Sequence, residues 1–217
     1  PSTMMSSISG SDMSMMSTMS SMSSMGSSSV FNEMLDDMDA LKAQYDVLAG
    51  KWPEAYNEMV LVLTDPSSIS DMLVYSLGLR DTKELSQMLA KLMAKEQVEF
   101  KNDSMQFTYE ELLALEYRLV DASDTYRYNS EYDIYENMSS DADYMKKVYD
   151  QAEPLHIVGI VCAKEGASGS LSPGVGYLRL LTEYVIDRAE ESEIVKKQLS
   201  NEAINVFNNK RFDDKNN

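Results

Sequence analysis

The sequence predicts an α+β fold, a mixed sheet with helices packed on it. Two short apolar runs, Glu58-Met59-Val60-Leu61-Val62-Leu63 and Leu155-His156-Ile157-Val158-Gly159-Ile160-Val161, have the length and composition of buried strands. Between and around them, apolar residues recur at spacings of three and four, the period of helices packed on one face. Strands and helices alternate irregularly, with polar extended stretches between, which fits α+β better than a doubly wound sheet.

The chain divides into a Ser/Met-rich segment over 1–29, an α+β domain over 30–212 and a polar tail over 213–217. Residues 1–29 hold 14 serines and 8 methionines, with Gly10 and Gly26. Serine competes with its own backbone for hydrogen bonds, and methionine lacks the branching that fixes a unique packing. A flexible or induced-fit segment is therefore expected. Met13, Met16, Met19, Met22 and Met25 nevertheless recur every three residues. This leaves two sharper readings open: a thioether site for Cu(I) in an oxidising setting, and a helix whose Met stripe docks on an apolar partner or lipid.

From Val30 the composition becomes globular. Phe31, Met34, Leu35, Met38, Leu41 and Tyr45 are spaced as an amphipathic helix, which Gly50 ends. Trp52-Pro53 then turns the chain into the first apolar strand, and Asp65-Pro66-Ser67-Ser68 stops it. A helix from Ile69 to Leu77 follows, with Gly78 placed for a left-handed cap. Asp81 and Glu84 form a capping-box pattern that opens a helix to about Gln97, and Thr108 with Glu111 repeats it.

A strand is expected through Tyr117-Arg118-Leu119-Val120. Tyr126 and Tyr128 then alternate as a strand does, within a stretch that also holds Tyr132 and Tyr135. Ser140 is read as the cap of a helix through Tyr149. The run at Leu155–Val161 is the clearest strand and, being apolar nearly throughout, central. Gly174 and Gly176 follow Pro173 and read as turn residues closing a loop from Gly166. Helices over Tyr177–Arg188 and Glu191–Gln198 complete the domain.

Nineteen basic residues against 36 acidic ones give a net charge of −17. Such a surface opposes nucleic-acid binding, which depends on cationic side chains displacing counterions, and opposes adsorption to anionic lipid. Cys162 is the only cysteine, so no intramolecular disulfide forms. No apolar run approaches the ~20 residues that span a bilayer. The opening Pro1-Ser2-Thr3-Met4 lacks a signal-peptide pattern, and the chain reads as a segment excised from a longer protein.

The residues assemble no catalytic constellation, so a non-enzymatic role is expected, with no catalytic, cofactor-binding or metal-ligating residue and no cofactor. His156, the single histidine, sits inside the best strand and reads as a structural residue. His156 and Cys162 are both even-numbered and so are expected on one face, but about 20 Å apart at 3.3 Å per residue, too far for a dyad. Asp121, Asp124, Asp141 and Asp143 could form a casual cation site, although solvated acidic loops are commoner. Ser168-Gly169-Ser170 and Gly174-Val175-Gly176 lack the lysine and helix-opening context of a phosphate loop.

Several passages resemble the large extracytoplasmic domains of FtsX-like (MacB-like) ABC-transporter permeases of Gram-positive Firmicutes. They are Leu48-Ala49-Gly50-Lys51-Trp52-Pro53 with Asn57-Glu58-Met59-Val60-Leu61-Val62, then Tyr75-Ser76-Leu77-Gly78-Leu79, Thr108-Tyr109-Glu110-Glu111-Leu112-Leu113 and Leu155–Val161. Gly174-Val175-Gly176-Tyr177 and the stretch from Gln198 through Asn205-Val206-Phe207 complete the set. The resemblance implies a MacB-like periplasmic core type of fold on the extracellular face of the membrane. It also implies transmembrane helices in the same full-length protein and a cytoplasmic ABC ATPase subunit as partner. Such systems export peptides, antibiotics or lipoproteins, or sense envelope stress, by transmitting nucleotide-driven motion outward. The family carries no catalytic residues in this part. The alternative is a free-standing secreted adhesin or peptide-binding module using the tyrosine-rich stretch, and a copper-handling protein is a third possibility.

The copper reading has a direct check. Anaerobic addition of Cu(I) is expected to leave the melting temperature unchanged. A saturable, stoichiometric rise abolished by Met→Leu changes at Met16, Met19 and Met22 would establish a metal site, because a ligand that binds only the native state stabilises it by mass action.

Overall fold

The structure, a computed structural model, describes residues 30–80 and 107–214. The Ser/Met-rich segment, the helix expected from Asp81 to Gln97 and the last three residues of the tail lie outside the described residues. In chain order the elements begin with β1 (Phe31–Glu33), α1 (Met38–Gln44), β2 (Tyr45–Gly50), β3 (Glu58–Leu63) and α2 (Asp71–Ser76). After these come α3 (Tyr109–Leu113), β4 (Glu116–Leu119), a 3-10 turn (Ala122–Thr125), β5 (Tyr126–Asn129), β6 (Ile134–Asn137) and α4 (Ala142–Gln151). The chain continues through β7 (Glu153–Ala163), β8 (Gly174–Tyr177), α5 (Arg179–Glu191), α6 (Glu193–Ser200), β9 (Ile204–Asn205) and β10 (Lys210–Arg211).

A six-stranded sheet runs in the order β1-β8-β3-β7-β2, with β4 also pairing to β7. It is mixed: β3 is parallel to β7, β1 is parallel to β8, and the other pairs are antiparallel. The coarse α+β expectation therefore holds. β7 is the long strand, pairing with β4 over Glu153–His156 and with β2 over Gly159–Ala163.

β3 is buried on both faces, which explains why its sequence is apolar without alternation. Met59, Leu61 and Leu63 pack with Ile157, Ile160, Val175 and Leu112 on one side. Val60 and Val62 pack with Met34, Leu41, Tyr45 and Val161 on the other.

One irregularity governs the register. Between β3 and β7 the pairing jumps from Met59↔Ile157 to Val60↔Gly159, so Val158 is bulged out of the ladder. The Val158 carbonyl instead accepts the Lys51 N–H at 2.9 Å. Here two backbones press together: a Cβ on Gly159 would lie 1.9 Å from the Lys51 carbonyl oxygen, and one on Gly50 would lie 2.1 Å from that of Val158. Gly50 also has φ of +70°, a left-handed conformation that glycine adopts freely.

The bulge has two consequences that simple alternation does not foresee. Val158 is half-buried and not a core residue like Ile157 and Ile160. Parity also reverses across it, so Ile157 and Ile160 share one face and His156 and Cys162 fall on opposite faces, not on one.

Three further expectations are corrected. Phe31–Tyr45 is not one helix: Phe31–Glu33 pairs as an edge strand, and only Met38–Gln44 is helical, started by Asp37, whose Oδ1 accepts the Ala40 N–H at 3.0 Å. The apolar spacing is still used, since Met34, Leu41 and Tyr45 are all buried together. Gly174-Val175-Gly176 is not a turn but the strand between β1 and β3, with glycines where neighbours approach closely: a Cβ on Gly174 would lie 2.4 Å from the Val30 carbonyl oxygen. The cap of α4 is Asp141, accepting from the Tyr144 N–H at 3.0 Å, and not Ser140.

Two cap expectations hold in detail. Gly78 has φ of +76°, and the Leu79 and Gly78 N–H groups donate to the Val74 and Tyr75 carbonyls, each at 3.1 Å. Thr108 and Glu111 close a reciprocal capping box.

Ile157→Ala and Leu61→Ala are each expected to cost about 2–4 kcal/mol of unfolding free energy, as for other deeply buried aliphatic truncations. Val158→Ala should cost about 1 kcal/mol or less. Urea denaturation of the three variants checks this; a Val158→Ala loss equal to that of Ile157→Ala would contradict the bulge.

Candidate functional site

Apart from the six-stranded sheet, the β5–β6 hairpin, α6 and the β9–β10 pair are joined to one another in a second, smaller layer. β5 and β6 pair antiparallel from Tyr126↔Asn137 to Asn129↔Ile134. In their turn, Asn129 Oδ1 accepts the Glu131 N–H at 3.0 Å and Asp133 takes a left-handed φ of 56°, both common uses of short polar side chains.

Lys197 of α6 closes the hairpin from one side. Its ammonium pairs with the Asp133 carboxylate and lies 4.4 Å from the Tyr128 ring centre and 5.9 Å from that of Tyr135. Tyr128 Oη donates to the same carboxylate at 2.6 Å. The Lys197 bond, followed by the Tyr128 bond, holds the Asp133 carboxyl below its ordinary value. The Asp133 bond raises Lys197 in turn.

The C-terminal pair completes this layer. The Tyr135 N–H donates to the Val206 carbonyl at 2.8 Å, and the Phe207 ring lies 5.1 Å from Tyr126. Gln198 bridges the segment, donating to the Ile204 carbonyl at 2.8 Å and accepting from the Val206 N–H at 3.2 Å. On the outside, Tyr128, Tyr132 and Phe207 remain about half exposed or more, at 47%, 60% and 48%. Tyrosine and phenylalanine present large area with few rotatable bonds, so they suit a surface that binds.

α5 ties this layer to the sheet. Its Arg188 Nη2 donates to Asp124 Oδ2 at 2.8 Å, and its Nε lies 3.0 Å from Asp121 Oδ2. That second contact is off the hydrogen-bond axis, so the buried Asp121 oxygen has an ion-pair partner but no hydrogen bond. Burial pushes the Asp121 carboxyl above its ordinary 3.8, working against the Arg188 charge. Arg188 is raised: burial works against its charge, but Asp124 and Asp121 outweigh it. Both values are raised, yet they disagree about the pair: the Asp121 shift disfavours its charged form and the Arg188 shift favours its own. The 3.0 Å separation decides in favour of a charged pair at neutral pH.

Tyr144 Oη donates to the Asp124 and Tyr126 carbonyls at 3.1 and 3.0 Å, holding the same turn. One turn earlier on α5, Tyr184 stacks on Tyr56 with ring centres 4.3 Å apart. Tyr56 donates to Glu153 at 2.8 Å, and that bond, reinforced by burial, pushes its phenol to about 12.

The residues weighed for chemistry are dispersed. Asp121 and Asp124 are engaged by Arg188, Asp141 caps α4 and Asp143 is exposed in the first turn of α4. Among the described residues no group of three or more His, Cys, Asp or Glu side chains could hold a metal. His156 is not enclosed as its apolar run suggests. Its side chain is 44% exposed, in a cross-strand row with Glu58 and Glu116, and its Nδ1 lies 3.7 Å from Glu116 Oε2. Lys51 and Arg118 already neutralise the two glutamates, at 2.8 and 2.6 Å. Cys162 is buried, and burial pushes its thiol up, so it is protonated at neutral pH.

The tyrosine-rich stretch singled out in the sequence forms the exposed hairpin, but Phe207 was missed. Its signal was an aromatic residue isolated among Asn and Lys at a position with no helical or strand period to serve. No protein-family profile, no curated protein and no solved structure matches the chain.

Removing Arg188 would leave the buried Asp121 carboxylate unpaired. Arg188→Ala is expected to destabilise the protein by about 2–3 kcal/mol at pH 7, at or below the low end for breaking a buried pair because Arg188 is partly solvated. The raised Asp121 value means that its protonation favours the folded state. Its contribution is full below the unfolded value and declines as pH rises through the folded one. The Arg188→Ala loss should therefore shrink as pH falls toward ~4, read from melts across pH; a loss that grows on acidification would contradict it.

Proposed function

We propose that this chain is a non-catalytic binding and mechanical-coupling domain, the extracytoplasmic domain of an ABC-transporter permease from a Gram-positive bacterium. The observation that carries the reading is the connection between two parts of different character. A sheet buried on both faces of β3 is joined through Arg188 and the Tyr56–Tyr184 stack to a layer with Tyr128, Tyr132 and Phe207 outside. Such a frame can pass a displacement from one end to a docking face without internal rearrangement, because packed interiors transmit strain. The sequence passages resembling FtsX-like permeases support the specific setting. On this reading the partners are the transmembrane helices of the same protein, a cytoplasmic ABC ATPase subunit, and a peptide or lipid-like substrate outside the cell. The MacB-like core type belongs to the same proposal.

The exposed tyrosines also favour a second reading, a secreted adhesin or peptide-binding module that works without an ATPase. The full-length protein separates the two. Under the permease reading it has flanking apolar runs of about 20 residues and copurifies from detergent with an ABC ATPase subunit. The combined variant Tyr128→Ser, Tyr132→Ser and Phe207→Ser should then abolish the transport phenotype while leaving the circular dichroism spectrum unchanged. A full-length protein with no such runs and no ATPase partner would overturn the permease reading in favour of the secreted module.

A further inference from the structure

We propose that the Met-rich segment of this chain, residues 13–25, docks on a groove of its own domain between the ends of β1 and β8. The groove has a volume of about 320 Å³; Met34, Leu35, Met38, Leu178 and Leu180 form its apolar wall, and Asp36, Arg179 and Glu183 complete the lining. Leu35 and Leu180 are about half exposed there, at 54% and 48%, an apolar surface left open to solvent.

The occupant is argued from where the chain enters, from charge and from composition. Residues 1–29 lead directly into β1, whose start is held where Val175 N–H donates to the Val30 carbonyl at 2.8 Å. The groove begins at Met34, four residues on, or about 13 Å along an extended strand. Met22 precedes Val30 by eight residues, a reach of up to about 26–29 Å. Gly26-Ser27-Ser28-Ser29 supplies turn-forming residues for the reversal this needs. Met19 and Met22 can therefore reach the groove, and tethering so close raises their effective concentration to the millimolar range.

The charges agree. Arg179, the one cation among the described residues lining the groove, is already paired with Glu183 at 3.2 Å and Asp36 at 3.6 Å, so the site has no free cation for an acidic ligand and its two carboxylates would repel one. Residues 13–25 carry no charged side chain. Thioethers every three residues offer repeated apolar contacts that adapt to an irregular surface, and Met34 and Met38 make the groove itself adaptable. This inference concerns the domain alone and is independent of the transporter reading.

The test is methionine oxidation in the intact chain, with dilute peroxide and peptide mass spectrometry. A thioether docked about four-fifths of the time should react about fivefold slower than a free one. Met19 and Met22 are expected to oxidise about fivefold slower than Met4 and Met5, independently of protein concentration. In the double variant Leu35→Asp and Leu180→Asp the difference should vanish, and because both side chains are exposed the domain itself should stay folded. Equal rates for Met4, Met5, Met19 and Met22 in the native chain would overturn the proposal. So would slowing that disappears on dilution, which would place the segment on a second copy, or slowing that survives in a folded double variant.

Discussion

The parallel pairing of β3 with β7 is the constraint from which the other features follow. β3 lies between β7 and β8, with Met59 to Leu63 almost fully buried, so both of its faces require cover. Burial at roughly 25 cal/mol per Å² of apolar surface makes this the main source of stability, and it fixes two layers, not one. Leu73, Leu77, Leu112 and Leu181 cover one face; Met34, Leu41 and Tyr45 cover the other. The bulge at Val158 lets β7 continue past β3 with its parity reversed, and the Gly50/Gly159 contact lets β2 approach it there. Replacing either glycine by alanine would drive a methyl into a carbonyl oxygen of the adjacent strand.

What could be read from the sequence depended on whether local chemistry and tertiary packing agreed. β3 and β7 were legible because a strand buried on both faces must be apolar throughout, and their short length, β-branched residues and flanking turn residues separate them from a buried helix. The caps at Gly78 and Thr108 were legible because each satisfies helix-end groups with residues a few positions away. β1 and α1 were not, because one apolar spacing of three and four was divided between an edge strand and a seven-residue helix. β8 was not, because its glycines answer to Val30 and Met34, which are distant in sequence and carry no local trace. The bulge was invisible for the same reason: it is a property of the pairing and not of β7 alone.

The candidate site divides in the same way. Tyrosines between 126 and 135 announced a surface of unusual composition, and they form the β5–β6 hairpin. The ties that hold that surface to the sheet were hidden, because Arg188 meets Asp121 and Asp124 from more than sixty residues away in sequence. In a chain with net charge −17, this cation is placed where two carboxylates would otherwise repel each other. The result is a polar clamp between α5 and the 3-10 turn that leads into β5. Losing it exposes a buried charge, a larger penalty than losing a solvent-exposed ion pair such as Lys146–Asp150.

The account therefore describes a stable frame bearing a less deeply anchored docking layer, and native-state hydrogen exchange tests that division most directly. Amides of β3 and of β7 from Ile157 to Cys162 are predicted to exchange only through global unfolding. Those of the β5–β6 hairpin and α6 are predicted to exchange through a smaller opening of lower free energy, as units with fewer buried contacts do. Equal protection of hairpin and sheet, or a β7 that opens before the hairpin, would contradict it.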